Sequence, residues 1–378
     1  MKTLIIFFPS IESGGVEKIF YHLLNNFSLK FKKVIVVTSS KVKKNKIPKK
    51  IEFLKPNSIF WLNKSRIVKS IVCFFLALSL YSKKEKIIIS FQSNIISIIL
   101  AKIIRCKIIT RLNTSPEKYI NSFLKRIFFH YFYKCSNEII VNSFEFKKNL
   151  KKILKLNSQV IYNPIALPKK ISKKKIDYFH NYKDLKILSI GRLTDQKDHL
   201  TLIKSLNLIK KEGFRFKLYL IGQGYNYNKI LSVIKNYKLN KCIKLAGFKK
   251  NAYEFMNSAD LFILSSKYEG LPNVLIEAQY FGVPVISSDC SSGPKEILLN
   301  EKAGTTFKTG NYFDLKDKIK LFLENKNSFY KKAKFAKKQL YRFQNKIIEE
   351  KYYKILTKHF KKNKLTIITV SKNSEKYL

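Results

Sequence analysis

Short apolar runs alternate with longer amphipathic segments along most of the chain. Continuous apolar runs, such as residues 4–8 and 87–90, predict strands that are buried on both faces of a parallel sheet. The segments between them repeat apolar residues with a period near 3.6, as helices do. The alternation stops at Asn163-Pro164 and begins again at residue 186. The pattern therefore predicts an α/β protein with two parallel sheets.

The break in the pattern suggests how the chain is divided. We expect a first domain at 1–166, a lysine-rich linker at 167–184 and a second domain at 185–344. A helix at 345–362 is placed to cross back to the first domain, and a short tail follows at 363–378.

Two apolar stretches, 70–81 and 87–101, are too short or too interrupted by polar residues to span a bilayer. We expect both to be buried elements of the fold. For the first stretch, a helix lying in the membrane interface is the alternative. The N-terminal run lacks the small-residue cleavage site of a signal peptide.

The formal net charge of +50 comes almost wholly from lysine, because only seven of the 75 basic residues are arginine. Three interpretations are open: a lysine-biased solvated surface, attraction to an anionic membrane or anionic substrates, and nucleic-acid recognition. The scarcity of arginine disfavours the third. Five widely spaced cysteines without a CxxC motif predict neither a disulfide framework nor a zinc site, and they favour a cytoplasmic protein.

Glycine is concentrated at predicted strand ends. The first 190 residues contain only Gly14 and Gly15, directly after the first strand, whereas ten glycines lie between Gly191 and Gly310. Backbone N–H groups at such a strand-to-helix turn can bind phosphate, although a tight turn alone would also need glycine. Gly222, at another strand end, is open to the same two interpretations. We expect the carboxyl edges of the two sheets to face each other across a cleft.

Charged side chains follow strand ends in the second half. Arg192 and Lys197 lie in one loop, and a planar guanidinium beside an ammonium suits a diphosphate. Glu269 lies in another loop and Glu277 in the helix after it, where carboxylates could accept hydrogen bonds from sugar or ribose hydroxyls. Taken singly, each residue could instead be an ordinary surface charge or a helix cap.

Together these motifs resemble the retaining glycosyltransferases of family 4. The E-x7-E motif, Glu269-GLPNVLI-Glu277, lies within SSKYEGLPNVLIEAQYFGVPVIS, and GRLTDQKD and GPKEIL are in their usual places. The resemblance runs from SGGVEKIF near the N-terminus to the helices beyond Asn311. It implies the GT-B fold, in which two Rossmann-like, doubly wound parallel-sheet domains face each other across a cleft. The first domain would bind the acceptor and the second the nucleotide sugar.

The resemblance also implies roles for single residues. Glu269, Arg192 and Lys197 would form the catalytic group: the two cations hold the donor diphosphate, and the glutamate contacts the donor sugar. Glu277 would bind the ribose hydroxyls. The other donor-binding positions would be Gly14, Gly15, Gly191, Gly222, Gly270, Leu271, Pro272, Asn273 and Val274. Charge that develops on the leaving diphosphate would be stabilised electrostatically, and the leaving phosphate would accept the proton of the acceptor hydroxyl.

The acceptor side has few candidates. Family members often carry a histidine on an acceptor-domain loop, where this sequence has Asn113. An inverting enzyme would need a base in this half, and Glu12 and Glu117 are the best placed. No metal is expected, because the family needs none, no D-x-D motif occurs and aspartate is absent before Asp177.

The predicted function is transfer of a sugar from a nucleotide-sugar substrate, UDP- or GDP-linked, without a cofactor. The acceptor would be a glycan or lipid-linked glycan of a surface polysaccharide, such as lipopolysaccharide or capsule, made at the inner face of the cytoplasmic membrane. Peripheral contact with an anionic membrane is expected, and specific nucleic-acid binding is not. The alternatives are a basic, non-catalytic protein that binds nucleic acid or another phosphate-rich polymer, and a GT-B protein without turnover. The tail at 363–378 resembles the truncated start of a family 2 glycosyltransferase.

Overall fold

The chain folds into two α/β domains, each built around one parallel sheet. The computed structural model describes residues 3–360 except 12–14, 43–46, 83–84, 115–119, 166–178, 180–181, 250 and 292. The predicted fold class is confirmed: both sheets of the described chain are parallel, with helices between most successive strands. The domain limits and the linker remain predictions, and the tail lies outside the described residues.

The first domain contains a sheet with the strand order β3-β2-β1-β4-β5-β6-β7 among the described residues. Its elements are β1 (Thr3–Phe7), α1 (Gly15–Lys30), β2 (Lys33–Val37), β3 (Ile51–Leu54), α2 (Arg66–Leu78), β4 (Lys86–Ser90), α3 (Asn94–Ile103), β5 (Lys107–Arg111), α4 (Phe123–Lys134), β6 (Glu138–Val141), α5 (Phe144–Leu154) and β7 (Gln159–Val160). Strand order reverses between β1 and β4, as in doubly wound folds.

Both faces of the first sheet are covered, which explains the continuous apolar strands. Leu4 and Ile6 of β1 pack in the core beneath α1, whereas Ile5 and Phe7 pack beneath α2–α5. Alternate residues of a strand point to opposite faces, so a strand covered on both sides needs apolar residues at every position. Serine side chains cap α2, α4 and α5 by accepting a backbone hydrogen bond.

The second domain contains a sheet with the order β10-β9-β8-β11-β12-β13 among the described residues. Its elements are β8 (Leu185–Ile190), α6 (His199–Lys211), β9 (Phe216–Ile221), α7 (Tyr227–Asn236), β10 (Ile243–Leu245), α8 (Ala252–Met256), β11 (Leu261–Leu264), α9 (Asn273–Tyr280), β12 (Val285–Ser288), α10 (Pro294–Ile297), β13 (Thr305–Phe307), α11 (Tyr312–Glu324) and α12 (Lys326–Lys338). Here the order reverses between β8 and β11.

A last helix, α13 (Asn345–Lys358), packs against the first domain. Asn26 of α1 donates a hydrogen bond from Nδ2 to Glu349 Oε2 at 2.7 Å. Tyr352 is fully buried and lies edge-on to Phe27 of α1. The chain therefore returns to the first domain after completing the second.

Two local features of the structure differ from the apolar pattern of the sequence. The apolar run 283–286 is longer than its strand, because β12 begins only at Val285, whereas Val283 N donates to Ala278 O and closes the end of α9. The stretch 70–81 is only partly buried. Cys73 and Ala77 of α2 face the core, but Ile71 and Phe75 are exposed. Within the described residues, no helix is both long and apolar enough to span a membrane.

Candidate donor site at the carboxyl edge of the second sheet

The predicted catalytic residues meet where the second sheet reverses its strand order. The loop after β8 carries Arg192 and Lys197, and the loop after β11 carries Glu269. These two strands are neighbours, but the chain leaves them toward opposite sides of the sheet. Such a switch point opens a crevice at the carboxyl edge, where open α/β sheets bind ligands.

A buried ion pair joins the two loops. Lys197 Nζ lies 2.5 Å from Glu269 Oε1, and the two side chains are only 13% and 8% exposed. Ser266 Oγ donates a second hydrogen bond to the same carboxylate oxygen at 2.6 Å. The pairing compensates both charges, which would otherwise be costly at this depth.

Gln196 holds the two loops together beside this pair. Its backbone carbonyl accepts from Lys267 N at 2.8 Å, and its Nε2 donates to Tyr268 O at 3.0 Å. Its Oε1 accepts from the guanidinium of Arg192 at 3.2 Å. Arg192 itself is exposed. The loop is thus fixed while one cation remains open to solvent.

His199 lies beneath the same loop and was not identified from the sequence. It is buried, and its Nε2 donates to the carbonyl of Arg192 at 3.3 Å. Burial lowers the pKa of His199 from 6.5 to about 4, so the ring is neutral at physiological pH. The unfolded chain takes up this proton first, so acidification from pH 6.5 toward 4 reduces the stability of the fold.

Gly222 is explained by contact between two backbones. Its φ is +154°, and a Cβ at this position would lie 1.8 Å from the carbonyl oxygen of Gly191. Gly191 N in turn donates to Ile221 O at 3.0 Å. No side chain fits between these strand ends, so close packing alone requires glycine at Gly222. Donor binding by Gly191 and Gly222 remains a prediction.

The second glutamate of the motif is separated from the first by the start of α9. Glu277 is 7% exposed, lies within the helix and accepts a hydrogen bond from Tyr253 OH at 3.3 Å. The loop between the two glutamates is well packed, because Leu271 and Pro272 are buried and Val274 is half-buried. The structure thus places one carboxylate against a cation and the other against a phenol.

The donor-side loop also contacts the first domain. A Cβ added at Gly270 would lie 3.1 Å from Asn142 Nδ2 and 3.3 Å from the carbonyl oxygen of Asn113. Asn273, the first residue of α9, accepts a hydrogen bond from Asn163 Nδ2 at 3.0 Å. The crevice of the second domain therefore lies directly against the carboxyl edge of the first.

Glu296 of α10 forms a cap on a helix of the other domain. Its carboxylate accepts from Phe144 N, the first residue of α5, at 2.9 and 3.1 Å, and from Tyr162 OH at 2.6 Å. Burial and this hydrogen bond raise the pKa of Tyr162. The sequence placed Glu296 in a family motif but gave no hint of its partners, which lie over 130 residues away.

A Glu296→Gln substitution is expected to loosen the start of α5, because the neutral amide is a weaker partner for the helix N-terminus. Amide exchange in the peptide containing Phe144 should accelerate by about tenfold, measured by hydrogen–deuterium exchange. Glu301→Gln is the control. Glu301 caps Thr306 N within the second domain at 2.7 Å, so its replacement should leave α5 unchanged. Equal exchange at Phe144 in both variants would contradict the role of Glu296.

Asn113 lies at the cleft, but its side chain is occupied. Its Oδ1 accepts from the guanidinium of Arg111, and its Nδ2 donates to Phe91 O at 2.8 Å. Gly15 begins α1 at the same edge of the first sheet. The candidates Glu12, Gly14 and Glu117 lie outside the described residues, so the acceptor-side assignments remain predictions.

No three His, Cys, Asp or Glu side chains cluster into a possible metal site in the part of the chain that the structure describes. Whether the reaction needs a metal is not tested by this finding. The prediction of a metal-independent reaction stays a prediction.

The chain is similar in sequence to known glycosyltransferases. Residues 170–340 match the family Glycosyl transferases group 1. An uncharacterized glycosyltransferase of Methanocaldococcus jannaschii is 34% identical over 200 residues, and the match spans 50% of this chain but only 49% of that protein. The N-acetylgalactosamine-N,N'-diacetylbacillosaminyl-diphospho-undecaprenol 4-alpha-N-acetylgalactosaminyltransferase of Campylobacter jejuni is 28% identical over 358 residues, 88% of this chain and 94% of that protein.

Solved structures share the whole architecture. Anabaena Alr3699/HepE in complex with UDP and glucose has a TM-score of 0.77 at 17% identity, over 95% of this chain and all of that one. The resemblance of the tail to a family 2 glycosyltransferase has no support from these similarities. The chain has the GT-B fold, and these similarities support its assignment as a glycosyltransferase of that type.

Proposed function

We propose that the protein transfers a sugar from a nucleotide donor to a glycan or lipid-linked glycan acceptor, with retention of configuration, in surface polysaccharide biosynthesis. The observation that carries the proposal is the buried pair of Lys197 and Glu269 at the switch point, beside the exposed Arg192. A sugar diphosphate carries negative charge at one end and hydroxyls at the other. A cation and a carboxylate held at one sheet edge match both ends.

The comparisons support this choice of substrates. The Campylobacter relative is named for adding N-acetylgalactosamine to a glycan on diphospho-undecaprenol, which is a lipid-linked acceptor. The Anabaena structure holds UDP and glucose. We therefore favour a UDP-sugar over a GDP-sugar as donor and a lipid-linked glycan as acceptor. We further propose that the reaction takes place at the inner face of the cytoplasmic membrane.

The proposed reaction breaks the bond between the sugar C1 and the β-phosphate oxygen and forms a bond from C1 to the acceptor oxygen. The leaving nucleoside diphosphate gains negative charge as its bond breaks. Lys197 and Arg192 stabilise this charge electrostatically and form no covalent bond with the substrate. The acceptor proton passes to the leaving phosphate on the same face, which gives retention. No cofactor or metal enters this scheme.

The buried ion pair suggests how a donor would be recognised. Lys197 and Glu269 neutralise each other's charge within the pair. An arriving diphosphate would compete for the ammonium of Lys197 and turn the carboxylate of Glu269 toward the hydroxyls of the sugar. Glu269 is thus the residue we expect to influence which sugar is accepted.

A binding and transfer experiment tests the function. The full chain is mixed with UDP-, GDP- and CMP-sugars, and its thermal transition is recorded. A donor that stabilises the protein is then offered with a lipid-linked glycan, and NMR of the product reports the anomeric configuration. Stabilisation by one nucleotide class and a retained anomer are expected. Salt-sensitive binding of polyanions with no response to any sugar nucleotide would overturn the proposal.

Glu277→Gln is expected to weaken UDP binding by about tenfold, because a charge-assisted hydrogen bond to ribose becomes a neutral one. Titration calorimetry with UDP and 2′-deoxy- or 3′-deoxy-UDP identifies the contact. The wild-type protein should bind the deoxynucleotide that lacks the contacted hydroxyl more weakly than UDP. The variant should bind this deoxynucleotide and UDP with nearly the same affinity. Glu324→Gln, at the exposed end of α11, is the control. If both variants discriminate between the nucleotides like the wild type, Glu277 does not bind the ribose.

A further inference from the structure

Helix α4 presents an apolar stripe to solvent. Phe123 and Leu124 are 74% and 77% exposed, and Ile127, Phe128 and Tyr131 are also exposed. Their spacing places them on one side of the helix. The opposite side of α4 covers the core through Tyr133. Large apolar residues grouped on one exposed helix face mark a surface that contacts something else.

The two neighbouring helices extend this stripe. Helix α2 packs beside α3, and α3 beside α4, on the same face of the first sheet. On α2, Ile67, Ile71 and Phe75 are exposed at a spacing of four residues. On α3, Ile99 and Ile103 are exposed at the same spacing. We call the exposed apolar residues of α2, α3 and α4 the outer apolar surface.

Charge identifies the partner of this surface. None of the three helices contains an acidic residue, whereas they carry six lysines and arginines. The next helix, α5, packs against α4, and a row of exposed lysines lies along it and at its C-cap: Lys147, Lys148, Lys151, Lys152 and Lys155. A second copy of the chain would bring the same cations face to face, which opposes self-association. An apolar surface bordered by cations fits an anionic lipid bilayer.

We propose that the outer apolar surface and the lysine row of α5 dock the protein on an anionic membrane. The apolar side chains of α4 enter the interface between headgroups and acyl chains, and the lysines contact the headgroups. This inference deepens the proposed function by assigning the surface through which the enzyme would reach a lipid-linked acceptor. It is tested without sugar transfer, so each proposal can fail alone.

The surface is also well placed relative to the cleft. Helix α4 follows β5, so its first residues, Phe123 and Leu124, lie toward the carboxyl edge of the sheet. The first residue of α5, Phe144, is bonded through its N–H to Glu296 of the second domain. The most exposed apolar residues therefore lie at the end of the domain where the acceptor would enter.

Vesicle flotation with the full chain tests the apolar contact. Vesicles of phosphatidylcholine with about 30% phosphatidylglycerol are compared with vesicles of phosphatidylcholine alone. We expect binding to the anionic vesicles only. Phe123→Ser with Leu124→Ser should reduce this binding by about tenfold or more. The control, Phe313→Ser with Leu321→Ser, removes exposed apolar residues from α11 of the second domain and should bind normally.

A second pair of variants, which lose the same net charge, tests the lysine row. Replacing Lys147, Lys148, Lys151 and Lys152 by glutamine should weaken binding by about a hundredfold at low salt. The control changes four exposed lysines of α12 in the same way: Lys326, Lys331, Lys334 and Lys338. Circular dichroism and the thermal transition verify that each variant is folded.

Three outcomes would overturn the proposal. The first is no binding to anionic vesicles. The second is equal loss in the α5 and α12 variants, which would show a general charge effect. The third is a dimer in sedimentation that the α4 substitutions abolish while vesicle binding stays unchanged, which would assign the surface to self-association. Vesicle binding with the expected pattern, but without response to sugar nucleotides, would support the docking surface and contradict sugar transfer.

Discussion

A Lys197→Met variant is expected to fold and to lose about a thousandfold in the rate of sugar transfer. Removing one fixed donor from a site that stabilises developing charge costs about 10²–10³ in rate, and Lys197 contributes a full charge in a buried position. The substitution should remove a contact that only the diphosphate group of the donor makes. Affinity for UDP should therefore drop far more than affinity for UMP, as measured by titration calorimetry.

The control for this variant is Lys267→Met. Lys267 is exposed in the neighbouring loop, and its backbone N–H donates a hydrogen bond to Gln196 O. The Lys267→Met substitution removes one positive charge near the site without changing the pair of Lys197 and Glu269. Transfer within about threefold of the wild type is expected for the control, since exposed charges are screened. A similar loss in both variants, or none in Lys197→Met, would remove Lys197 from the proposed mechanism.

Stability and catalysis can be separated at this pair. Lys197→Met leaves the carboxylate of Glu269 buried without its cation, and breaking a buried pair costs about 3–5 kcal/mol. Adding Glu269→Gln removes the orphaned charge and should restore most of the stability. It should not restore transfer, because the cation for the leaving diphosphate is still missing. Recovery of both properties together would mean that Lys197 is only structural.

The position of this pair could be predicted because it follows from strand order and strand ends. Continuous apolar runs such as β8 and β11 are recognisable in the sequence, and parallel strands bring their carboxyl ends to one edge. Residues in the loops after such runs therefore come together, as Lys197 and Glu269 do. A role for these two residues is suggested only by the resemblance to a family.

The part of the outer apolar surface that lies on α2 could not be predicted, because the sequence of this helix does not distinguish its two sides. From Ser70 to Leu78 the sequence of α2 is apolar at every position but one, so no polar residue marks which side faces solvent. Periodicity identifies a face only where the two faces differ in polarity. The structure separates the buried Cys73 and Ala77 from the exposed Ile71 and Phe75, and the membrane proposal depends on that separation.

Contacts between the domains were also hidden in the sequence. Glu296 and its partner Phe144 are 152 residues apart, and neither has a local pattern that points to the other.

The role of Arg111 could not be predicted either, since it is one of many cations in a lysine-rich chain. The structure buries its side chain almost completely, to 1% exposed. Burial of a single arginine among so many exposed cations indicates a specific structural role.

Arg111→Met is expected to destabilise the first domain by about 3 kcal/mol, because two buried acceptors and one half-buried acceptor lose their donor, and each buried one costs roughly 1–3 kcal/mol. The guanidinium donates from Nε to Tyr352 OH at 2.7 Å, from Nη2 to Asn163 Oδ1 at 2.7 Å, and from Nη1 to Asn113 Oδ1. In the described chain no ion pair joins it to a carboxylate, so removing its charge returns part of its desolvation cost. The unsatisfied acceptors outweigh that gain because two of them, on Tyr352 and Asn163, are buried.

The measurement is a thermal transition followed by two probes, since two domains need not unfold together. A decrease of roughly 8 °C is expected for Arg111→Met, and almost none for Arg105→Met, which removes an exposed arginine six residues earlier. Arg111→Lys distinguishes charge from geometry. An ammonium keeps the charge but cannot reach acceptors on α13, the cleft loop and the end of the first domain at once. A fully stable lysine variant would therefore show that charge is what Arg111 supplies, and that the three hydrogen bonds contribute little.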